Sequence, residues 1–128
     1  MKLQGFLGRA RKESKLSSLR IKVGAVITKG GSVISFGYNQ DKSHPLVNTF
    51  SLHAEASAIL ARRYHIGSLD GATIWVYRET ADGIPAWSRP CRECLKLIIA
   101  SKIKKIVYST GEPPYYNIIY VRGIIWNV

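Results

Sequence analysis

Both cysteines of this 128-residue chain lie in one five-residue segment, Pro90-Cys91-Arg92-Glu93-Cys94. Upstream stands His53-Ala54-Glu55. Two thiolates and an imidazole are good zinc ligands, and three protein ligands leave one tetrahedral position open. An open position is the mark of a catalytic zinc, where water becomes a nucleophile, whereas structural sites normally have four protein ligands. A carboxylate two residues after the histidine is placed to move protons for whatever fills that position. Inside a helix, residues at i and i+2 do not share a face. His53 and Glu55 therefore serve one site only if it lies off a helix N-terminus. Cys91 and Cys94, at i and i+3, share a face at the start of the next helix. Two helix N-termini thus converge on the metal, and their positive ends favour the anionic ligands.

The elements that must carry these residues follow in order. Leu3, Phe6, Leu7 and Ala10 have the spacing of one buried helical face, which predicts an amphipathic helix over 1–18 with Arg9, Arg11, Lys12 and Lys15 outward. Residues 20–29 and 32–38 read as a hairpin, with Gly30-Gly31 as its two-residue turn. Residues 39–50, with Asp41, His44-Pro45, Asn48 and Thr49, have loop chemistry. A small-residue helix, 51–65, has Ser51 as cap, Arg62 and Arg63 near its end and Gly67 as stop signal. It reads as the buried central helix. Strand 73–77 is followed by Arg78 to Trp87, which contains Asp82-Gly83 and reads as a fold-back that delivers Trp87-Ser88 to the site. Pro90 suits the first turn of a helix that runs to about Ser101. A strand over 103–110 and a β-rich segment over 116–121 close the pattern. Only six residues lie between Thr110 and Asn117, too few for a helical crossover, so these last two strands should pair antiparallel.

With the motifs and the element order in view, the chain resembles the cytidine/deoxycytidylate deaminase superfamily, whose signature is H-x-E followed by P-C-x-x-C. The resemblance covers roughly residues 20–110. It implies an α/β fold, a three-layer αβα sandwich on a five-stranded mixed sheet. It implies zinc on His53, Cys91 and Cys94, and Glu55 as proton shuttle. It further implies that Asn39 contacts the sugar of a nucleotide, while the backbone of Ala54 and the Ser88 region hold the amide face of the base. The reaction would be hydrolytic loss of ammonia from C4 of cytosine or C6 of adenine. Trp87-Ser88-Arg89-Pro90-Cys91 is similar to the Trp-Ser-x-Pro-Cys of polynucleotide cytosine deaminases. The tRNA adenosine deaminases usually carry Thr-Leu-Glu-Pro-Cys there, and their last two strands run parallel around a helix. Cytosine is therefore favoured over adenine. Thirty-four residues separate Glu55 from Pro90, and the excess over compact members falls on Arg78 to Trp87.

Nineteen Lys and Arg against eight Asp and Glu give a net charge of +11. Such a surface attracts phosphates, on a nucleotide or on single-stranded nucleic acid, or else serves solubility. The length predicts one domain over 1–128. No apolar run is long enough for a membrane span and no signal peptide is visible. A Cys-x-x-Cys pair beside a histidine fits a reducing cytoplasm better than a disulfide. Several residues have both a functional and a plain structural reading. His44 could bind phosphate or a second metal or be merely exposed, and His65 suits a helix C-terminus. Trp87 could stack on a base or pack the hairpin. Tyr115, Tyr116, Tyr120 and Trp126 could form a wall for single strands, the core, or the interface of a dimer or tetramer. Three functions follow: a deaminase of cytidine, deoxycytidine or dCMP, a cytosine deaminase acting on single-stranded DNA or RNA, and a non-catalytic zinc-bearing nucleic-acid binder. Glu55 argues against the last, since binding alone has no use for that carboxylate.

Overall fold

The computed structural model describes residues 2–41, 52–62 and 69–123. Ser51, His44, Arg63, His65, Gly67 and Trp126 lie outside the described residues. The elements are α1 (Leu7–Ser14), β1 (Val23–Lys29), β2 (Ser32–Tyr38), α2 (Ala54–Arg62), β3 (Thr73–Glu79), β4 (Pro85–Ala86), α3 (Arg92–Ala100), β5 (Lys105–Ser109), β6 (Tyr116–Tyr120) and a short 3₁₀ turn over Val121–Gly123. The sheet runs β2-β1-β3-β5-β6, with β4 paired to β3. β3 and β5 are parallel, and every other pair is antiparallel. The last two strands are thus antiparallel, as the short connection between them requires. The expected five strands form the main path, and the two-residue β4 is the sixth.

β1 carries apolar residues on both faces because both are covered. Val26, with Tyr77 of β3 and Val107 of β5, packs under Leu7 and Ala10 of α1. Ala25 and Ile27 join Ile74, Val76, Ile106 and Tyr108 beneath Ala54, Ala58 and Ile59 of α2 and Ile98 of α3. This is the three-layer αβα arrangement. Two glycines set how closely the layers approach. A Cβ on Gly24 would stand 2.0 Å from the Ala10 carbonyl oxygen, and one on Gly37 would stand 2.6 Å from the Ala58 nitrogen. Only glycine lets β1 and β2 meet the helix backbones this directly.

α1 is shorter than the 18 residues its apolar spacing predicts. Gly5 has φ +51, which takes the chain out of helical geometry just before Phe6 and Leu7. Leu3 and Phe6 still pack below, Phe6 against Trp75 at 5.5 Å. At the other end the helix stops at Ser14 and Leu16 is exposed. Helix α1 is tied down ionically as well. Arg11 Nε and Lys15 Nζ donate to the two carboxylate oxygens of Glu79 at the end of β3. Burial would raise the Glu79 pKa, but hydrogen bonds from Lys15, Arg11 and Tyr77 outweigh it and hold it at about 2.

The hairpin after β3 folds back as its Asp-Gly turn predicts. Arg78 faces Ala86 and Glu79 faces Pro85 across an antiparallel pair. The tip is closed by Thr80 N–H to the Ile84 carbonyl at 2.8 Å and Gly83 N–H to the Thr80 oxygen at 2.9 Å. No described helix is long and apolar enough to cross a membrane.

Candidate active site

The two motif segments meet at the N-termini of α2 and α3, and they do so in equivalent ways. The His53 carbonyl accepts the N–H of Ser57, and the Cys91 carbonyl accepts the N–H of Leu95. Each ligand therefore stands at the position just before its helix, where backbone N–H groups point outward and the helix dipole favours negative charge. Pro90 lies two residues before the first helical position, Arg92, and so ahead of the first turn where the sequence pattern expects it, because Cys91 is the extended capping residue. The chain enters α2 through a two-way backbone pairing of Gln40 and Leu52, which fixes the residue next to His53. Cys94, one turn into α3, is buried, while Cys91 is exposed.

His53 turns its Nδ1 toward both sulfurs, 3.5 Å from Cys91 Sγ and 3.4 Å from Cys94 Sγ. An imidazole nitrogen and a thiolate on one tetrahedral zinc would be roughly 3.5 Å apart, given bonds of about 2.0 and 2.3 Å. All three donor atoms fall within 4.8 Å of one another. Burial pushes the Cys94 thiol up, and the charges of Glu55 and Cys91 push it further in the same direction. A cation beside the sulfurs is what would make thiolates stable there. The residues present therefore fit zinc.

Glu55 is 5 % exposed. Burial raises its pKa to about 7, partly offset by hydrogen bonds from its own backbone N–H and from Cys94. A carboxyl near neutrality can both take up and release a proton at physiological pH.

The other expected contacts are placed as follows. Ala54 is fully buried at the first turn of α2. Asn39, at the end of β2, has its amide engaged. Its Oδ1 accepts the Val23 N–H at 2.9 Å and its Nδ2 donates to the Ile21 carbonyl at 2.7 Å. One N–H of that amide has no protein acceptor among these contacts, so Asn39 braces the entry to β1 whatever else it meets. Trp87 is 57 % exposed and meets Tyr108 edge-on at 5.4 Å. It lines one end of a groove of about 950 Å³ that continues along Thr110, Glu112 and Asn117.

Ser88 is buried, and it reveals a residue that the motifs do not mark, Ser109 at the end of β5. The two hydroxyls lie 2.8 Å apart. Ser88 Oγ reaches the Val76 carbonyl at 2.9 Å and accepts the Ser109 N–H at 2.9 Å. Ser109 Oγ reaches the Ala86 carbonyl at 2.7 Å and accepts the Arg78 N–H at 3.1 Å. The Ser88 N–H closes the knot on the Ser109 carbonyl at 3.0 Å. This knot joins β3, β4 and β5 two residues before Pro90. It sets where the cysteine segment begins. A lone serine at a strand end carries no sequence signal of that role.

An open three-ligand metal site with a buried carboxylate, at paired helix N-termini on an αβα sandwich, defines a hydrolytic metalloenzyme class. Residues 2–110 match the model of the cytidine and deoxycytidylate deaminase zinc-binding region, and the chain belongs to that family. It is 32 % identical over 127 residues to the deoxycytidylate deaminase of Mycobacterium phage D29, covering 80 % of this chain and 90 % of that one. It is 27 % identical over 124 residues to the tRNA-specific adenosine deaminase of Aquifex aeolicus, covering 94 % and 74 %. The crystal structure of dCMP deaminase from the cyanophage S-TIM5 in complex with dCMP and dUMP superposes with a TM-score of 0.66 at 27 % identity, covering 86 % and 84 %.

Proposed function

We propose that the protein deaminates the cytosine of a free nucleoside or nucleotide, a dCMP-like substrate, to uracil with release of ammonia. The observation that carries this reading is the buried Glu55 beside the His53–Cys91–Cys94 cluster, with its pKa raised to about 7. Zinc bound there lowers the pKa of water and so supplies a nucleophile at neutral pH. Glu55 would be placed to take up a proton from water and to return it to the departing amine. Its burial keeps bulk water from competing for the proton. The main chain at Ala54 and the knotted Ser88 segment hold the amide face of the base. Trp87, anchored on Tyr108, closes one side of the pocket.

Three observations support a small cytosine substrate. Similarity over 80 to 86 % of the chain runs to proteins named deoxycytidylate deaminase or dCMP deaminase. β5 and β6 pair antiparallel, unlike the parallel ending expected of adenosine deaminases of tRNA. The groove beyond Trp87 has Glu112 and no Lys or Arg among its lining residues, which is poor company for a phosphate backbone. The exposure of Trp87 favours a second reading, deamination of cytosine in a single strand, because an exposed indole can stack on a neighbouring base.

The deciding experiment incubates the zinc-loaded protein with cytidine, deoxycytidine, dCMP and a cytosine-containing oligonucleotide and follows ammonia and uracil. Turnover of dCMP or a nucleoside is expected, and turnover of the oligonucleotide alone would replace the first reading with the second. Glu55→Gln should lose turnover while retaining one zinc per chain by metal analysis; surviving activity would remove Glu55 from the mechanism.

A further inference from the structure

A second concave site lies at the other end of β5. Ser109, at the C-terminal end, belongs to the knot before the metal motif, whereas Lys105, at the N-terminal end, borders a cavity of about 630 Å³. A five-residue strand puts these ends roughly 13 Å apart. Lys102, Lys104, Lys105 and Arg122 line this cavity, and Asp70 is the one acid among its lining residues. Its apolar floor includes Ile99 and Ile103, and on its rim stands Tyr120, 63 % exposed.

The cations are carried on a fixed backbone. Gly71 N–H bonds the Lys102 carbonyl at 2.9 Å, Lys104 N–H bonds the Ala72 carbonyl at 2.9 Å, and Val121 N–H bonds the Lys104 carbonyl at 3.0 Å. Four like charges around one cavity repel one another, and an anion seated among them relieves that repulsion. The aromatic rim and apolar floor ask for a planar, weakly polar group attached to that anion.

We propose that this cavity binds single-stranded nucleic acid, with phosphates on the Lys102–Lys104–Lys105–Arg122 cluster and a base against Tyr120. A volume of this size admits about one nucleotide unit. The net charge of +11 favours a polyanion over a single nucleotide. A duplex hides its base faces and could use neither Tyr120 nor the apolar floor. The site is separate from the catalytic cluster, so it tethers the protein to a strand whether the reacting base is free or not.

The test uses the zinc-loaded full chain and a fluorescein-labelled 20-residue oligo-dT, with binding read by anisotropy across a salt series. Lys104→Ala/Lys105→Ala should reduce the slope of log K against log salt by about 1.4, at roughly 0.7 per lost single-strand contact. Lys12→Ala/Lys22→Ala removes the same charge elsewhere and should leave the slope close to wild type. Tyr120→Ala should weaken binding roughly tenfold with the slope unchanged, as loss of one stacked base does. Arg122→Ala, a surface truncation, gives an independent reading should the double variant melt early by circular dichroism. Deamination of dCMP should be the same in all of these variants. Equal weakening by the two lysine pairs would reduce the effect to bulk charge and overturn the proposal. Equally tight binding of a 20-base-pair duplex, or displacement of the oligonucleotide by millimolar dCMP or inorganic phosphate, would also overturn it.

Discussion

Ser109→Ala tests whether the knot beneath the metal motif holds the site together. Ser109 is fully buried, and its hydroxyl touches Ser88 Oγ, the Ala86 carbonyl and the Arg78 N–H at 2.7 to 3.1 Å. Two hydroxyls supply only two protons, shared among Val76, Ala86 and each other, so removing the Ser109 hydroxyl loses its bonds to Ser88 and Ala86 and leaves the Arg78 N–H without it. Two buried hydrogen bonds at about 1 kcal/mol each, plus about 1 kcal/mol for the stranded Arg78 N–H, sum to about 3 kcal/mol. For a chain of this size that is a fall in Tm of roughly 10 °C. Urea unfolding of the chelator-treated protein, in which metal affinity plays no part, measures it. The kcat/KM on the best substrate should fall roughly tenfold, since the segment entering Cys91 loses its brace. A stability loss below about 0.5 kcal/mol together with unchanged kcat/KM would refute the argument.

Other perturbations give separate readings. Gly24→Ala should destabilise by about 3 kcal/mol in urea unfolding, because its Cβ meets the Ala10 carbonyl at 2.0 Å, whereas Gly8→Ala, with nothing within 4 Å, should stabilise α1 by up to about 1 kcal/mol. Glu79 has a native pKa of about 2, below its ordinary value of 4.5, so its stabilising effect is complete above pH 4.5 and is lost as pH falls through about 2. Glu79→Gln should flatten that acid limb and loosen α1, read as faster amide exchange in Leu7–Ser14. In chelator-treated protein Glu55 works the other way: its raised native pKa adds stability that is complete below pH 4.5 and disappears as pH rises through about 7. Glu55→Gln should remove that slope from the metal-free stability profile.

The chemistry of the site was readable because so few residue types can do it. Two cysteines at i, i+3 and a His-x-Glu allow few arrangements, and helix periodicity alone places both at helix N-termini, where the structure has them. The antiparallel β5–β6 pair followed from a connection too short for anything else. The hairpin over Arg78 to Trp87 followed from Asp82-Gly83, and Gly83 does adopt φ +82. The start of α1 did not follow, because the apolar spacing continues back to Leu3 while a positive φ at Gly5 precedes the helix. Nor did the choice of Nδ1 on His53, since sequence position does not specify a ring nitrogen. Ser109 and the lysine cluster share a further reason. Their neighbours come together only once β3, β5 and β6 are paired, and one-dimensional spacing does not record that.

The hairpin between β3 and the metal motif is bonded to itself at its tip, through Thr80, Gly83 and Ile84, and its turn residues 81 and 82 are exposed. Lengthening such a closed tip adds loop entropy only logarithmically and breaks no rung of the sheet. The knot at Ser88 and Ser109 lies between that tip and Cys91, so changes in tip length stop short of the ligands. Natural variation, or a designer's library, can therefore insert, delete or graft residues at 81–83 and reshape the approach to the pocket while the zinc-binding half of the molecule stays constant.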